Sequence, residues 1–145
     1  MDIKVLSTEQ LFAYYPPPMT YGIRITPPFE RGHVDPLPQA DRYHHFVTYE
    51  FDDIVPALAR SAKILFSEDL AWRILLDFHR HLKDCSTLVT SCLRGQNRSP
   101  AVAMALNEVF ALGQDHRVLQ RVYPELDKRV YHTLLRVAES YAYSI

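Results

Sequence analysis

Residues 87–112, TLVTSCLRGQNRSPAVAMALNEVFAL, decide the fold. Thr87, Leu88, Val89 and Thr90 form a short apolar and β-branched run, which predicts a strand over residues 87–91. A second apolar run opens at Ser99-Pro100 and ends at Leu112-Gly113, which predicts a helix closed by that glycine. A strand, a seven-residue turn and a helix therefore meet at Cys92. A turn this short curls its backbone N–H groups inward, and with the N-terminus of the following helix it makes a concave site for a dianion. Gly95 supplies the conformational freedom the turn needs. The same donors favour a thiolate at Cys92, as at other cysteines placed at helix N-termini. Arg98, six positions after Cys92, can grip two equatorial phosphoryl oxygens with its planar fork. A hydroxyl at Ser99 can donate to the sulfur and stabilise it as a leaving group. Cys92, Arg98 and Ser99 are thus the candidate catalytic residues of the turn, and Leu93, Arg94, Gly95, Gln96, Asn97 and Arg98 the candidate phosphate-binding ones.

Upstream, Ile3, Val5 and Leu6 read as a first strand, and Ser7 followed by Gln10 is a capping-box pattern that opens a helix stopped by Pro16-Pro17-Pro18. Residues 19–25 read as a second strand. Prolines 27, 28, 36 and 38 with Gly32 make the region of about residues 26–42 an irregular loop. Residues 45–51 alternate as a third strand that ends at Asp52-Asp53, and residues 54–65 leave helix and extended chain equally open. Ser67 followed by Glu68 and Asp69 caps a helix whose apolar face is Leu70, Ile74, Phe78 and Leu82. Past Gly113, a short helix near Val118 is separated by Pro124 from a longer one marked by Val130, Leu134, Val137 and Tyr141. Strands interleaved with helices predict an α/β fold: a mostly parallel central sheet with helices on both faces and its site at the carboxyl ends of the strands.

With 145 residues, the chain is expected to form one domain over residues 1–145, large enough to bury a core without a disulfide or metal staple. Sixteen Lys and Arg against 17 Asp and Glu give a net charge of -1, which disfavours general nucleic-acid binding. No apolar run approaches the roughly 20 residues of a membrane span. The start lacks a signal-peptide pattern, and the two cysteines, Cys85 and Cys92, suit a reducing compartment, so a cytoplasmic location is expected.

The Cys-x5-Arg segment in this setting resembles the cysteine-dependent protein phosphatases, and within them the small dual-specificity-like enzymes, including predicted prokaryotic protein tyrosine phosphatases. Asp52-Asp53-Ile54 after a strand, Phe66-Ser67 at a helix start and Arg98-Ser99-Pro100-Ala101-Val102-Ala103 after the cysteine carry the resemblance. The tail around Val130-Tyr131 and Leu134-Leu135 extends it, so that it covers about residues 45–138. It implies a dual-specificity-phosphatase-like fold and a protein tyrosine or dual-specificity phosphatase that works through a phosphocysteine, with no cofactor and no metal. It also implies an upstream aspartate that protonates the leaving oxygen. Asp53 lies 39 positions and Asp52 40 positions before Cys92, and Asp53 is preferred for its place before Ile54. Two departures stand out. Ser91 replaces a histidine that helps to charge the cysteine, and Arg94 occupies a position more often small or acidic, which favours a more anionic substrate. Low-molecular-weight tyrosine phosphatases share the Cys-Leu-x4-Arg-Ser-Pro pattern but carry it near the N-terminus, with a late Asp-Pro that this chain lacks.

The expected partner is a phosphorylated protein or another phosphomonoester, phosphoinositides and RNA ends included. The oligomeric state is not indicated. The rival readings are a low-activity phosphate-binding module and another cysteine-loop enzyme, such as a sulfurtransferase or an arsenate reductase that would use Cys85 as its recycling thiol. Cys85 otherwise reads as a half-buried residue before a strand, with trapping of a Cys92 sulfenic acid as its redox alternative. The pairs His44-His45 and His79-x-His81 do not share one face of a strand or helix, which argues against a metal site. Tyr14, Tyr15, Tyr21 and Tyr43 are expected to pack the proline-rich region onto its own domain rather than to line a specificity pocket.

Overall fold

The computed structural model describes residues 1–28, 35–52 and 65–144. The strands are β1 (Asp2–Ser7), β2 (Thr20–Thr26), β3 (His45–Glu50) and β4 (Thr87–Cys92). The helices are α1 (Thr8–Ala13), α2 (Glu68–His81), α3 (Arg98–Phe110), α4 (His116–Val122) and α5 (Lys128–Ser144), with 3-10 turns at Ala40–Arg42 and Leu82–Asp84. All four strands are parallel, in the order β1-β4-β2-β3. Asp53, residues 54–64, the middle of the proline-rich loop and the side chain of Tyr141 lie outside the described residues.

Burial explains which strands are central. Every residue of β2 and β4 is buried, whereas β1 and β3 expose part of their side chains at the edges. On one face Tyr21, Ile23, Ile25, Tyr49 and Leu88 meet Ala71, Ile74, Leu75 and Phe78 of α2, Ala101, Val102 and Ala105 of α3, and Val130 and Leu134 of α5. Each large side chain fully buried there contributes roughly 1.5–3 kcal/mol. The opposite face is smaller: Val89 packs against Leu11 of α1 with Leu37 and Tyr43, and Phe46 lies alongside. Gly22 makes this layer fit, because a Cβ there would come within 2.6 Å of the Phe46 ring and 2.8 Å of the Tyr43 ring. Helices thus cover both faces of a parallel sheet, as the sequence predicts.

The sequence signals at the helix ends are physically present. Ser7 and Gln10 form the reciprocal capping box of α1, and Ser67 accepts from the Leu70 amide at the start of α2. The far end of α1 is closed by Gln39, whose buried amide donates to the carbonyls of Leu11, Phe12 and Tyr14 at 3.0–3.3 Å. That bond gives the proline-rich segment a structural task. One expectation needs correcting: α3 ends at Phe110, and the left-handed cap is Ala111 at φ 52°, two residues before Gly113. The expected tyrosine packing holds for Tyr43, buried beside Leu37, and for Tyr14, which packs against the same cluster; it fails for Tyr21, which is buried on the other face against Phe78, and for Tyr15, which is 68% exposed and lies under the Arg42 guanidinium.

Candidate active site

Cys92 ends β4, the strand between β1 and β2, and the turn of Leu93, Arg94, Gly95, Gln96 and Asn97 delivers the chain to Arg98, the first residue of α3. The central strands are therefore the walls of the crevice expected at the carboxyl ends of a parallel sheet. Gly95 sits at φ 70°, and a Cβ there would fall 2.8 Å from the Ser7 amide nitrogen and 2.9 Å from the Leu6 carbonyl carbon. The turn thus lies directly on the end of β1, where only glycine fits. It is tied down on both sides. The Leu93 carbonyl accepts from the Thr8 amide at 3.3 Å, and the Asn97 carbonyl accepts from the Asp127 amide at 2.9 Å. The Asn97 side-chain amide also donates to the Glu125 carbonyl at 2.9 Å. Asp127 in turn caps α5 by accepting from the amides of Arg129 and Val130. Thr90 anchors the start of α3 through a hydroxyl bond to the Ser99 carbonyl at 3.0 Å.

The electrostatics centre on the sulfur. Cys92 is 2% exposed, and its Sγ lies 3.1 Å from the Ser99 hydroxyl and 3.5 Å from the Ser99 amide nitrogen. Burial alone pushes the thiol up. The Ser99 hydroxyl and amide, the Arg98 charge and the Gly95 amide outweigh it and hold the thiol below its ordinary value. The first-turn amide of α3 at Ser99 and the hydroxyl of the same residue therefore converge on one atom. Ser91 does not join them: its hydroxyl donates to the Ile23 carbonyl on β2 at 3.4 Å.

Arg98 is 6% exposed, and its Nη1 donates to the Phe51 carbonyl at 2.8 Å, while Nε is buried with no hydrogen-bond partner among the described residues. A buried donor without an acceptor costs about 1–3 kcal/mol, and such a cost is relieved when an anion arrives. Phe51 directly precedes Asp52, which is 7% exposed, so Arg98 links the turn to the end of β3 where the candidate acid lies. The preferred acid, Asp53, is outside the described residues. Leu93, Arg94 and Gln96 are exposed on the rim, and Asn97 is half-buried.

The two cysteines stand apart. Cys85 precedes β4 and Cys92 ends it, so about seven residues of extended chain, roughly 20 Å, separate them. No disulfide closes over that span, which removes the Cys85 trapping and recycling roles considered from sequence. The Cys85 thiol is pushed up by burial and by Asp84, opposite to Cys92.

The histidines come together across elements, although neither sequence pair shares one face. His45 stacks on His81 with ring centroids 4.1 Å apart, and His81 Nδ1 lies 3.4 Å from His44 Nε2. Yet among the described residues no group of three His, Cys, Asp or Glu is arranged to hold a metal ion.

Sequence reasoning missed Asp127, Thr90 and Phe51. Asp127 had a signal, an acidic residue just ahead of a helical apolar period, but nothing in the sequence shows that its amide holds the turn. Phe51 acts through its backbone carbonyl and leaves no side-chain signal. No protein-family model, no curated protein and no solved structure matches the chain.

Proposed function

We propose that the chain is a phosphomonoester hydrolase, most simply a protein tyrosine or dual-specificity phosphatase of the cysteine-dependent kind, acting through a phosphocysteine. The observation that carries this reading is the convergence on Cys92 Sγ of the Ser99 hydroxyl and amide, with the buried and partly unpartnered Arg98 beside it. In the first step the Cys92 thiolate forms a bond to phosphorus as the phosphorus–oxygen bond of the ester breaks. An upstream aspartic acid, Asp53 or Asp52, gives its proton to the leaving oxygen. In the second step water attacks phosphorus, the same aspartate takes the water proton, and the sulfur–phosphorus bond breaks with its electrons returning to a sulfur that the Ser99 hydroxyl stabilises. The amides of the turn and the two-pronged guanidinium of Arg98 hold the phosphoryl oxygens throughout.

The experiment is hydrolysis of p-nitrophenyl phosphate across the acidic to neutral range with EDTA present, comparing the wild type with Cys92→Ser. Metal-independent turnover that Cys92→Ser abolishes supports the phosphatase. The second reading, a phosphate-binding module of low activity, draws on Ser91, whose hydroxyl is spent on the Ile23 carbonyl and gives the thiolate no help. Binding of phosphopeptides through Arg98 without turnover would favour it.

A further inference from the structure

A small cavity of about 210 Å³ opens beside the turn, and its lining includes Leu93 from the turn itself, Thr8 and Phe12 of α1, Arg24 and Thr26 of β2, and Asp35. Arg24 pairs in register with Ser91, one residue before the cysteine. Arg24 is 7% exposed, and its guanidinium carbon lies 5.3 Å from the centre of the Phe12 ring. Its Nη1 donates to the Asp35 carbonyl at 2.6 Å. Its Nε, however, is buried without a partner among the described residues, and so is the hydroxyl of Thr26, a residue only 5% exposed. Two of the residues that line this cavity thus each keep a buried group with unmet hydrogen-bonding capacity, which a ligand acceptor with lone pairs to spare would meet.

The surrounding charge selects among acceptors. Arg24 in the cavity wall, with Arg98 and the exposed Arg94 of the neighbouring turn, favours an anion as that acceptor. Asp35 is close enough that its charge raises the guanidinium's pKa against the lowering by burial. A cation whose charge a nearby carboxylate partly offsets suits a monoanion better than a phosphate dianion. The volume matches a side chain rather than a peptide segment. Leu93, 66% exposed and next to Cys92 in the chain, supplies an apolar part of the cavity wall.

We infer that the cavity formed by Arg24, Thr26, Phe12 and Leu93 is a specificity subsite that takes the carboxylate of an acidic residue next to the phosphorylated residue of a peptide substrate. This rests on the phosphatase reading of the neighbouring turn and adds the substrate preference. Arg24 Nε and the Thr26 hydroxyl donate to the two carboxylate oxygens, while the methylenes of the acidic side chain pack on Phe12 and Leu93.

The test compares kcat/KM on phosphotyrosine peptides that carry Glu, Gln or phosphoserine at each of the two positions on either side of the phosphotyrosine. Each rate is divided by the same enzyme's rate on p-nitrophenyl phosphate. At one of those positions the wild type is expected to prefer Glu over Gln by about tenfold, the worth of a charge-assisted pair of hydrogen bonds. Arg24→Gln is expected to abolish that ratio. Thr26→Val, nearly the same shape, is expected to reduce it and decides the matter if Arg24→Gln does not fold. Equal rates on Glu and Gln peptides, or an undiminished ratio in both variants, overturn the subsite and leave the phosphatase standing. A preference for phosphoserine over Glu overturns the carboxylate. Hydrolysis of p-nitrophenyl phosphate with none of any peptide overturns the peptide class, and no turnover of any substrate overturns both readings together.

Discussion

Arg98 Nη1 donates a 2.8 Å hydrogen bond to the carbonyl oxygen of Phe51, joining the first residue of α3 to the residue that follows β3. The bond holds the guanidinium in one orientation before any ligand binds, and it leaves Nε available to meet an anion. It also fixes the spacing between the cysteine turn and the stretch that carries Asp52 and Asp53. A lysine at this position would keep the charge but lose the fork, so it could not hold Phe51 and a phosphoryl group at once. Arg98→Lys is therefore expected to lower kcat/KM for p-nitrophenyl phosphate by on the order of 10²–10³, the usual cost of removing a preorganised donor. Retention of more than a tenth of wild-type activity would show that the fork is not used.

Ser99 makes the next test, because it contacts the sulfur twice, through its hydroxyl and its amide. Ser99→Ala removes only the hydroxyl. The thiolate of Cys92 is then less favoured, and the fall of kcat/KM on the acidic side moves to higher pH. In single-turnover experiments, hydrolysis of the phosphocysteine slows more than its formation, since sulfur leaves in that step. An unmoved acidic limb and equal slowing of both steps would argue that Ser99 only packs the turn. Ultraviolet absorbance of the thiolate during a pH titration, with Cys92→Ser as the blank, reads the same shift without catalysis.

Much of this arrangement is readable in the sequence for a simple reason: it is local. The capping box at Ser7, the cap at Ser67, the apolar face of α2 and the strand–turn–helix at Cys92 all depend on residues within a few positions of one another. Parallel interleaving then follows from the alternation of strands and helices. What the sequence hides is the pairing of distant backbone atoms. The Asn97 carbonyl with the Asp127 amide, Phe51 with Arg98, and Gln39 with the end of α1 each join segments with no shared pattern. The histidines make the same point: His44 and His45 come from β3 and its approach, His81 from the end of α2, and only β3 packing beside α2 unites them. Arg24 reads as an interruption in an apolar strand until Phe12 and Asp35 are seen around it.

Gly95 offers a test of the fold and the site together. Its φ is 70°, and a methyl group added at its Cα would approach the Ser7 nitrogen to 2.8 Å, a contact with backbone that cannot swing away as a flexible side chain would. Gly95→Ala is expected to destabilise the domain by about 1–3 kcal/mol and to cut activity further than stability alone explains, by turning the Gly95 amide away from the sulfur. Urea unfolding measures the first effect and assays well below the unfolding midpoint the second. Unchanged stability would mean that the turn does not rest on β1 as described.

The histidine cluster predicts how stability depends on pH. Burial, then the neighbouring His81 and His44, lower the pKa of His45, and Asp77 opposes them only in part. Asp77 also accepts a hydrogen bond from Tyr49, and Tyr21 faces both His45 and His81. A histidine whose folded pKa lies below its unfolded value of about 6.5 takes up a proton more readily when unfolded. Its contribution to stability is therefore complete above that value and is lost as pH falls below it toward the folded pKa. Urea midpoints are expected to drop between neutral pH and pH about 5, and His45→Gln to flatten that drop. An equally steep fall in His45→Gln would place the acid sensitivity elsewhere.

The identity of the proton donor is settled by the other limb of the pH profile. A carboxyl must be protonated to serve the leaving oxygen, so its ionisation lowers kcat/KM as pH rises, while ionisation of Cys92 produces the rise on the acidic side. Asp52 is 7% exposed and follows the carbonyl that Arg98 holds, whereas Asp53 stands one residue further from that anchor. A carboxyl that must reach the leaving group needs access to the mouth of the site. Asp52, buried at a strand end, meets that need poorly. Asp53→Asn is accordingly expected to remove the basic limb and to lower kcat/KM by about 10²–10⁴ on phosphotyrosine, a poor leaving group. The loss should be smaller on p-nitrophenyl phosphate, whose nitrophenolate departs without a proton. Asp52→Asn should retain the basic limb. If it is Asp52→Asn that flattens the limb, and the loss again tracks leaving-group basicity, the acid is Asp52, and Arg98 then positions the donor as well as the phosphoryl group through the Phe51 carbonyl.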